Sequence, residues 1–461
     1  MMGVVRGGLS QVAVRVDAAE GRGAFEAWRH ALSHGGINTR PLPARVAEGV
    51  ARLRPRLIRA FLQEHFAIYP ARGRFDWRLL DPFLEALAST GAEVVACICI
   101  KPPVLYPTID HSLWRPTDWR EWQRVIRELV GRYSVERPIV SYWEIGNETD
   151  IGESGGCPYL IPDPKDYFEY YRHTMQAVLE ACPSAKVGGP AACWVENEPL
   201  PGLVRMCRES GTRLDFISWH LYSDDPGRHA SGVEKAKGML SGWPGRRPEM
   251  LVTEWSKSFD AASYQDLALE PRRAAATAAC VLAMLEAGVD WSFYYHIWDQ
   301  VFYPEPFRAF FSPAGIKMME RHWNEMPHRF GLFGVDGEVR PQYFVYQMLG
   351  RMGGERVAAQ SAEAEVRVVA ARDQDKVRLL LVNYAPEGGR DVLSTVEIGG
   401  LRAGAKRLTV DRLDGGRRWD EEALEMRPLE RRHTHTGEKF EFQVLLPADS
   451  VAAVTLEDAD G

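Results

Sequence analysis

IVSYWEIGNETDIGESGGCPYLIPDPKDYFEYYRHTMQAVLEACPSAKVGGPAA (139–192) decides the fold. It opens on an apolar run, IVSYWEI (139–145), and closes on a second, KVGGPAA (186–192), each the length of a buried strand. Between them lies a helix: Asp163 can cap it, Pro164 suits its first position, and Phe168, Tyr171, Met175 and Val178 recur at helical spacing. Pro183 stands just beyond its end. Strand, helix, strand is the repeating unit of a parallel sheet covered by helices.

The same alternation extends in both directions. Strand candidates upstream are HGGINTR (34–40), RLIRAFL (56–62) and AEVVACICI (92–100); downstream they are DFISWHL (215–221), EMLVTEW (249–255) and WSFYYHIW (291–298). Together with the central pair these make eight, which favours closure into a (β/α)8 TIM barrel over an open doubly wound sheet. No glycine-rich dinucleotide fingerprint follows the first strand, which disfavours the open alternative further. The last barrel helix is expected from Gln342 to Gly350. After Gly353-Gly354 come VRVVAA (366–371), KVRLLLVNY (376–384), STVEIGG (394–400), KRLTVDRL (406–413), KFEFQVLL (439–446) and VAAVTLE (451–457), short strands with turn signals between them. That rhythm predicts an accessory antiparallel β-sandwich. The division is therefore an N-terminal segment 1–30, whose QVAVRVDA (11–18) alternates and would add a strand to the sandwich, a barrel over 31–352, and a sandwich over 353–461.

Bulk properties exclude several function classes. The net charge of −7 comes from interspersed charges among 461 residues, so neither nucleic acid nor an anionic membrane is an expected partner. No run approaches a membrane span, and MMGVVRGGLSQVAVRVDA (1–18) lacks a signal peptide's apolar core, so a cytoplasmic location is expected unless a leader was trimmed. The 7 cysteines are scattered and odd in number, which does not indicate a disulfide framework; Cys97 and Cys99 read as core. HTHTGEKF (433–440) mimics a zinc-finger linker, but no cysteine follows Cys280, so it reads as a turn feeding a strand.

In a (β/α)8 barrel the active site lies at the C-terminal ends of the strands. There the sequence places His65 after the second strand, Asn147 and Glu148 after the fourth, His220 and Tyr222 on the sixth, Glu254 on the seventh, and Trp298 and Asp299 after the eighth. Two facing carboxyl groups supply what glycosidic bond cleavage needs, a proton donor and a nucleophile. Glu148, its pKa raised by burial, is the expected general acid/base, and Glu254, held ionised by donors such as the Tyr222 hydroxyl, the expected nucleophile. Asn147 is placed for the sugar 2-hydroxyl; His220, Tyr222, His65, Trp298 and Asp299 are candidate substrate contacts. A carboxyl separation of roughly 5–5.5 Å is expected, which implies a retaining double displacement. Glu144 shares parity with Glu148, so it points into the barrel and requires a partner, for which Arg59 on the second strand is the candidate. No metal or other cofactor is needed.

These residues resemble clan A of the glycoside hydrolases, where an Asn-Glu acid/base ends the fourth strand and a Glu nucleophile ends the seventh. Within the clan the order is most similar to family 39, the β-xylosidase and α-L-iduronidase family. The similar segments are YWEIGNE (142–148), DYFEYYRHTMQAVLEACPSAKVGGPA (166–191), DFISWHLYS (215–223), LVTEWSKS (251–258) and GLFGVDGEVRPQYFVYQML (331–349). The resemblance implies a retaining, β-xylosidase-like glycoside hydrolase acting on an oligosaccharide or glycoside, and leaves homo-oligomerisation open. It departs from the family pattern at Gly146, where members usually carry Trp, and at Thr149, where Pro usually follows the Glu; the loop 150–164 is distinctive, and FYYHIWDQVF (293–302) is only loosely similar. Those departures bear on the sugar. Alternatives are another clan A specificity (α-L-iduronidase, β-glucosidase, β-galactosidase or arabinosidase type), a non-catalytic carbohydrate-binding barrel, or a Schiff-base or metal-dependent barrel enzyme, for which Lys101 is the one tempting lysine.

Overall fold

The computed structural model describes residues 9–259 and 266–459; of the stretch read above for a leader, residues 1–8 lie outside them. After Ser10–Ala24 (β1), the chain forms His30–His34 (β2), Leu57–Gln63 (β3), Glu93–Cys99 (β4), Val140–Ile145 (β5), Lys186–Ala192 (β6), Phe216–Tyr222 (β7), Glu249–Ser256 (β8) and Trp291–Tyr295 (β9). β2 to β9 pair in chain order and close into a parallel barrel. Closure runs from β9 to β2, pairing Ser292 with His30 and Tyr295 with Ser33, and leaves the barrel no sheet edge.

The first barrel strand lies upstream of the expected HGGINTR run, and the chain leaves the barrel at Gly35-Gly36 instead. A Cβ on Gly36 would stand 2.4 Å from the Phe61 Cβ, so backbone passes β3 where no side chain fits. The eighth strand is also shorter than expected and ends at Tyr295, before His296 and Trp298.

Alternation along the strands layers the barrel interior. Ala31, Leu57, Val95, Tyr142, Phe216, Leu251, Trp291 and Phe293 form an apolar floor. Two residues further along β3 and β5, the same parity brings Arg59 and Glu144 to the axis, both fully buried. A polar layer therefore sits directly on the floor, below the C-terminal mouth.

The helix between β5 and β6 spans Pro164–Ala181, with the Asp163 carboxylate accepting from the Lys165 and Asp166 amides. Its inner face is carried by Tyr167, Tyr170, Tyr171, Met175 and Val178, whereas Phe168 of the expected stripe is only half-buried. The last barrel helix is Pro341–Arg351. Among the described residues no helix is long and apolar enough to cross a membrane.

Beyond the barrel follow Glu355–Ser361 (β10), Val366–Asp373 (β11), Lys376–Asn383 (β12), Val392–Gly399 (β13) and Gly404–Leu413 (β14). A small ribbon, Trp419–Asp420 (β15) with Glu425–Met426 (β16), precedes Glu430–Thr436 (β17), Phe440–Leu446 (β18) and Ser450–Asp458 (β19). Nine strands, β1 included, form one sheet ordered β17-β14-β19-β12-β11-β10-β1-β13-β18. The sheet is mixed rather than purely antiparallel, because β1 inserts between β10 and β13 and runs parallel to β13. Apolar residues from β1, β12, β13, β18 and β19 meet in one core cluster, so the sheet folds over on itself as a sandwich. The sandwich is fastened to the barrel by Arg272, whose guanidinium meets Asp449 at 2.7 Å, and by the Tyr384 hydroxyl, which donates to the Asp224 carbonyl.

Candidate active site

Glu148 is aimed by the turn that ends β5. Gly146 has φ 84° and Glu148 itself φ 42°, both left-handed, and the Glu148 amide donates to the Ala191 carbonyl at 2.8 Å, tying the turn to β6. A Cβ on Gly146 would lie 2.8 Å from the Thr149 Cγ2, so a side chain there would be strained and would crowd Thr149. The two departures from the family pattern, Gly146 and Thr149, are thus fitted to one another.

Glu254 reaches the axis by a different device. Leu251 faces the barrel floor, and strict alternation from it would turn residue 254 outward. The β7–β8 register slips by one residue, pairing Trp219 with Val252 and then His220 with Glu254. That bulge turns Glu254 inward, while Trp255 packs behind the strand against His229 and Tyr294.

Arg59 joins these elements through three contacts. Its Nε donates to Glu144 at 2.6 Å, Nη1 to Glu254 at 2.6 Å and Nη2 to the Asn147 Oδ1 at 2.7 Å. Asn147 in turn donates to the Gly155 carbonyl at 3.0 Å. The Tyr222 hydroxyl donates to the other Glu254 oxygen at 2.6 Å. His220 Nδ1 lies 2.8 Å from Glu148 and 3.7 Å from Glu254. One oxygen from each of these two carboxylates and a His220 nitrogen all fall within 4.8 Å of one another. That spacing could hold a cation, but Arg59 already supplies positive charge to Glu254. Arg59→Met would strand Glu144 as an unpaired buried charge, and about 3–5 kcal/mol of stability should be lost at neutral pH; urea unfolding of the variant against the parent measures it.

Burial and neighbours set the protonation states. Burial and the Glu254 charge hold the Glu148 carboxyl well above the usual carboxylate range. Burial raises Glu254 too, but Arg59 and the Tyr222 hydroxyl pull it back. Burial, reinforced by Arg59, holds His220 well below the usual imidazole range, so it is neutral.

A cavity of about 520 Å³ opens over the pair, with Gln63, Tyr222, Tyr295, Trp194, Trp323 and His328 in its walls. Asn147 and His220 lie just beneath this surface, almost fully buried. The other sequence candidates are engaged elsewhere. His65 is packed between Phe66 and Phe307, where burial lowers its pKa to about 3. Asp299 accepts from the Gly331 amide at 2.8 Å and pairs with His296 and Arg340, bracing the segment after β9. Trp298 lies parallel to His34 and donates to the Val335 carbonyl. None of these three lines the cavity. Lys101 donates to the carbonyls of Asp110 and Pro158 and is not presented to it. Sequence reading missed Trp194, Tyr295 and Trp323; Tyr295 alone carried a usable signal, as an inward-parity aromatic at a strand end. All seven cysteines are free.

Residues 106–384 match the profile of glycosyl hydrolases family 39. A β-xylosidase from Caldicellulosiruptor saccharolyticus is 22% identical over 67% of this chain and 64% of its own length. A second, from Geobacillus stearothermophilus, is 20% identical over 61% of this chain and 55% of its length. The chain thus spans less than two thirds of either relative. Among solved structures, a monomeric β-xylosidase from Caulobacter crescentus superposes with a TM-score of 0.75 at 21% identity, covering 97% of this chain and 100% of that one. A glucosidase from Croceicoccus marinus gives 0.73 at 18% identity, covering 98% and 99%. These likenesses extend the barrel-and-sandwich architecture to the whole chain, and the profile match, over more than half of it, identifies the chain as a member of glycosyl hydrolases family 39.

Proposed function

We propose that the protein is a retaining glycoside hydrolase acting on a β-linked glycoside, with a β-xyloside as the leading substrate. The observation that carries this reading is the close approach of Glu148 and Glu254, with oxygens within 4.8 Å, at the base of one cavity. So close an approach of one oxygen from each suits direct attack by one carboxylate, whereas inverting enzymes leave a gap that admits a water. The choice of sugar is supported by the family and its β-xylosidase relatives.

Glu148, protonated, gives its proton to the leaving-group oxygen while Glu254 attacks the anomeric carbon and forms a glycosyl ester. Arg59 and Tyr222 keep Glu254 ionised for that attack. Asn147, fixed by Arg59 and the Gly155 carbonyl, is the residue expected to meet the sugar 2-hydroxyl. Esterification removes the Glu254 charge, which after burial is the largest cause that raises Glu148. Glu148 then becomes acidic enough to release its proton and serves as the base that activates water. The reaction as written uses two carboxylates and water.

The rate should fall as pH drops through the Glu254 pKa, because the nucleophile protonates. It should fall again as pH rises through the Glu148 pKa, because the acid is lost. With Glu148 raised the further of the two, kcat/KM should be bell-shaped with its alkaline limb well above an ordinary carboxylate range. A panel of nitrophenyl β-glycosides assayed across pH tests this, and no turnover on any sugar would reject the proposal.

A further inference from the structure

The wall around Glu148 is apolar in a way that two separate segments cooperate to build. Glu148 is backed by Gly155, whose Cβ, if present, would stand 2.0 Å from the carboxylate. Flanking it are Ile151, at the start of the same loop, and Trp194, which follows Cys193 where the Cys193 amide donates to Asp150. The long segment after β9 adds Met318, Met319 and Met326 to the lining, with Met319 against Gly156 of the Glu148 loop. Its helix, Pro313–Glu320, is clamped to the Glu148 loop by the buried Glu153 carboxylate. Glu153 accepts from the Ser312 amide at 2.8 Å and from the Ser312 hydroxyl, while Ser312 caps the helix. An aromatic cluster that includes Phe302, Phe307, Phe310 and Phe311 packs beneath Met319 and holds it in place. Hydrogen-bonding side chains here are Ser154 and Arg321, both exposed at the mouth, half-buried His322 and Trp323, buried His328, and Gln63, whose amide nitrogen donates to the Gly156 carbonyl.

Whatever receives the Glu148 proton must lie against this wall. A second sugar there would press several hydroxyls onto isoleucine and methionine side chains that offer weak thioether acceptors at best, with the indole N–H groups of Trp194 and Trp323 as the nearby donors. An apolar group would lose no hydrogen bonds and would be packed against these side chains; methionine adapts to such shapes readily. We infer, on top of the glycosidase reading above, that the leaving group this site takes is an apolar aglycone, an aromatic or alicyclic alcohol, rather than another sugar.

The test uses the full chain and whichever sugar is best cleaved as its nitrophenyl glycoside. The 2-phenylethyl and methyl glycosides of that sugar are compared with its disaccharide. Phenylethanol is a poorer leaving group than a sugar hydroxyl, so intrinsic reactivity favours the disaccharide. The inference expects kcat/KM for the phenylethyl glycoside to exceed that for the disaccharide by about tenfold or more. Met318→Gln and Trp194→Ala should each lower the phenylethyl-to-methyl ratio about tenfold; a ratio does not depend on how much of a variant folds. A preference for the disaccharide, or ratios unchanged in both variants, would overturn the aglycone assignment while leaving the glycosidase standing. Absence of turnover on every glycoside would overturn both.

Discussion

Glu254→Ala is expected to lower kcat on every glycoside by on the order of 10⁴-fold or more, with the fold intact. Removing the side chain deletes the group placed to form the glycosyl ester, so the two-step path closes. The vacated space lies beside Arg59 and Tyr222, both of which donate to Glu254 in the parent, and a small anion such as azide or formate can enter it. With a nitrophenyl substrate, azide should restore turnover and give the α-glycosyl azide from a β-glycoside, because a single displacement inverts the anomeric carbon. Product configuration by NMR is decisive. Retained parental rates, or a β-azide from this variant, would mean that Glu254 is not the nucleophile.

Part of this site was legible from pattern alone. A period of two along RLIRAFL (56–62) and IVSYWEI (139–145) sends Arg59 and Glu144 to the same side, and they pair at 2.6 Å. The position of Glu148 just past an apolar run put it at the mouth. The direction of Glu254 was not legible in the same sense. Counting from Leu251 turns it outward, and the slip in β8 that reverses this leaves no mark in the residue types, since Thr253 suits regular strand as well as a bulge. Trp298 and Asp299 misled for a related reason. WSFYYHIW (291–298) is apolar to its end, yet the regular strand stops at Tyr295; Ile297 still donates to the Ser33 carbonyl of β2, while Trp298 and Asp299 are drawn to Arg340 and the 330–335 segment.

The first barrel strand is hard to place from sequence because its inward-facing members, Ala31 and Ser33, are small, so His30–His34 lacks a strong apolar signal. Gly35-Gly36, which HGGINTR places inside a strand, is the exit. The cavity wall was the least legible part. Residues 300–330 contain short helical turns and aromatic clusters without a sustained period, and their folding over the mouth depends on a contact distant in sequence, Glu153 with Ser312. Arrangements fixed by long-range tertiary contacts leave little local pattern to read.

Glu148→Gln should separate the two steps of the reaction. The amide keeps the shape and can still meet His220 Nδ1, which lies 2.8 Å from the parent carboxylate, but it cannot deliver a proton. Substrates with alcohol leaving groups should lose about 10²–10⁴-fold in kcat/KM, whereas dinitrophenyl glycosides, which leave without protonation, should lose little in that parameter. Their kcat should fall nonetheless, because the water that resolves the glycosyl ester has lost its base, and a burst of dinitrophenol should precede a slow steady state. Added azide needs no base, so it should accelerate turnover and yield the β-glycosyl azide, the opposite configuration to that from the Glu254 variant. The alkaline limb of the pH profile should vanish with the group that causes it, leaving the acidic limb set by Glu254. Equal losses on good and poor leaving groups, or an alkaline limb that survives the substitution, would take the proton-donor role away from Glu148.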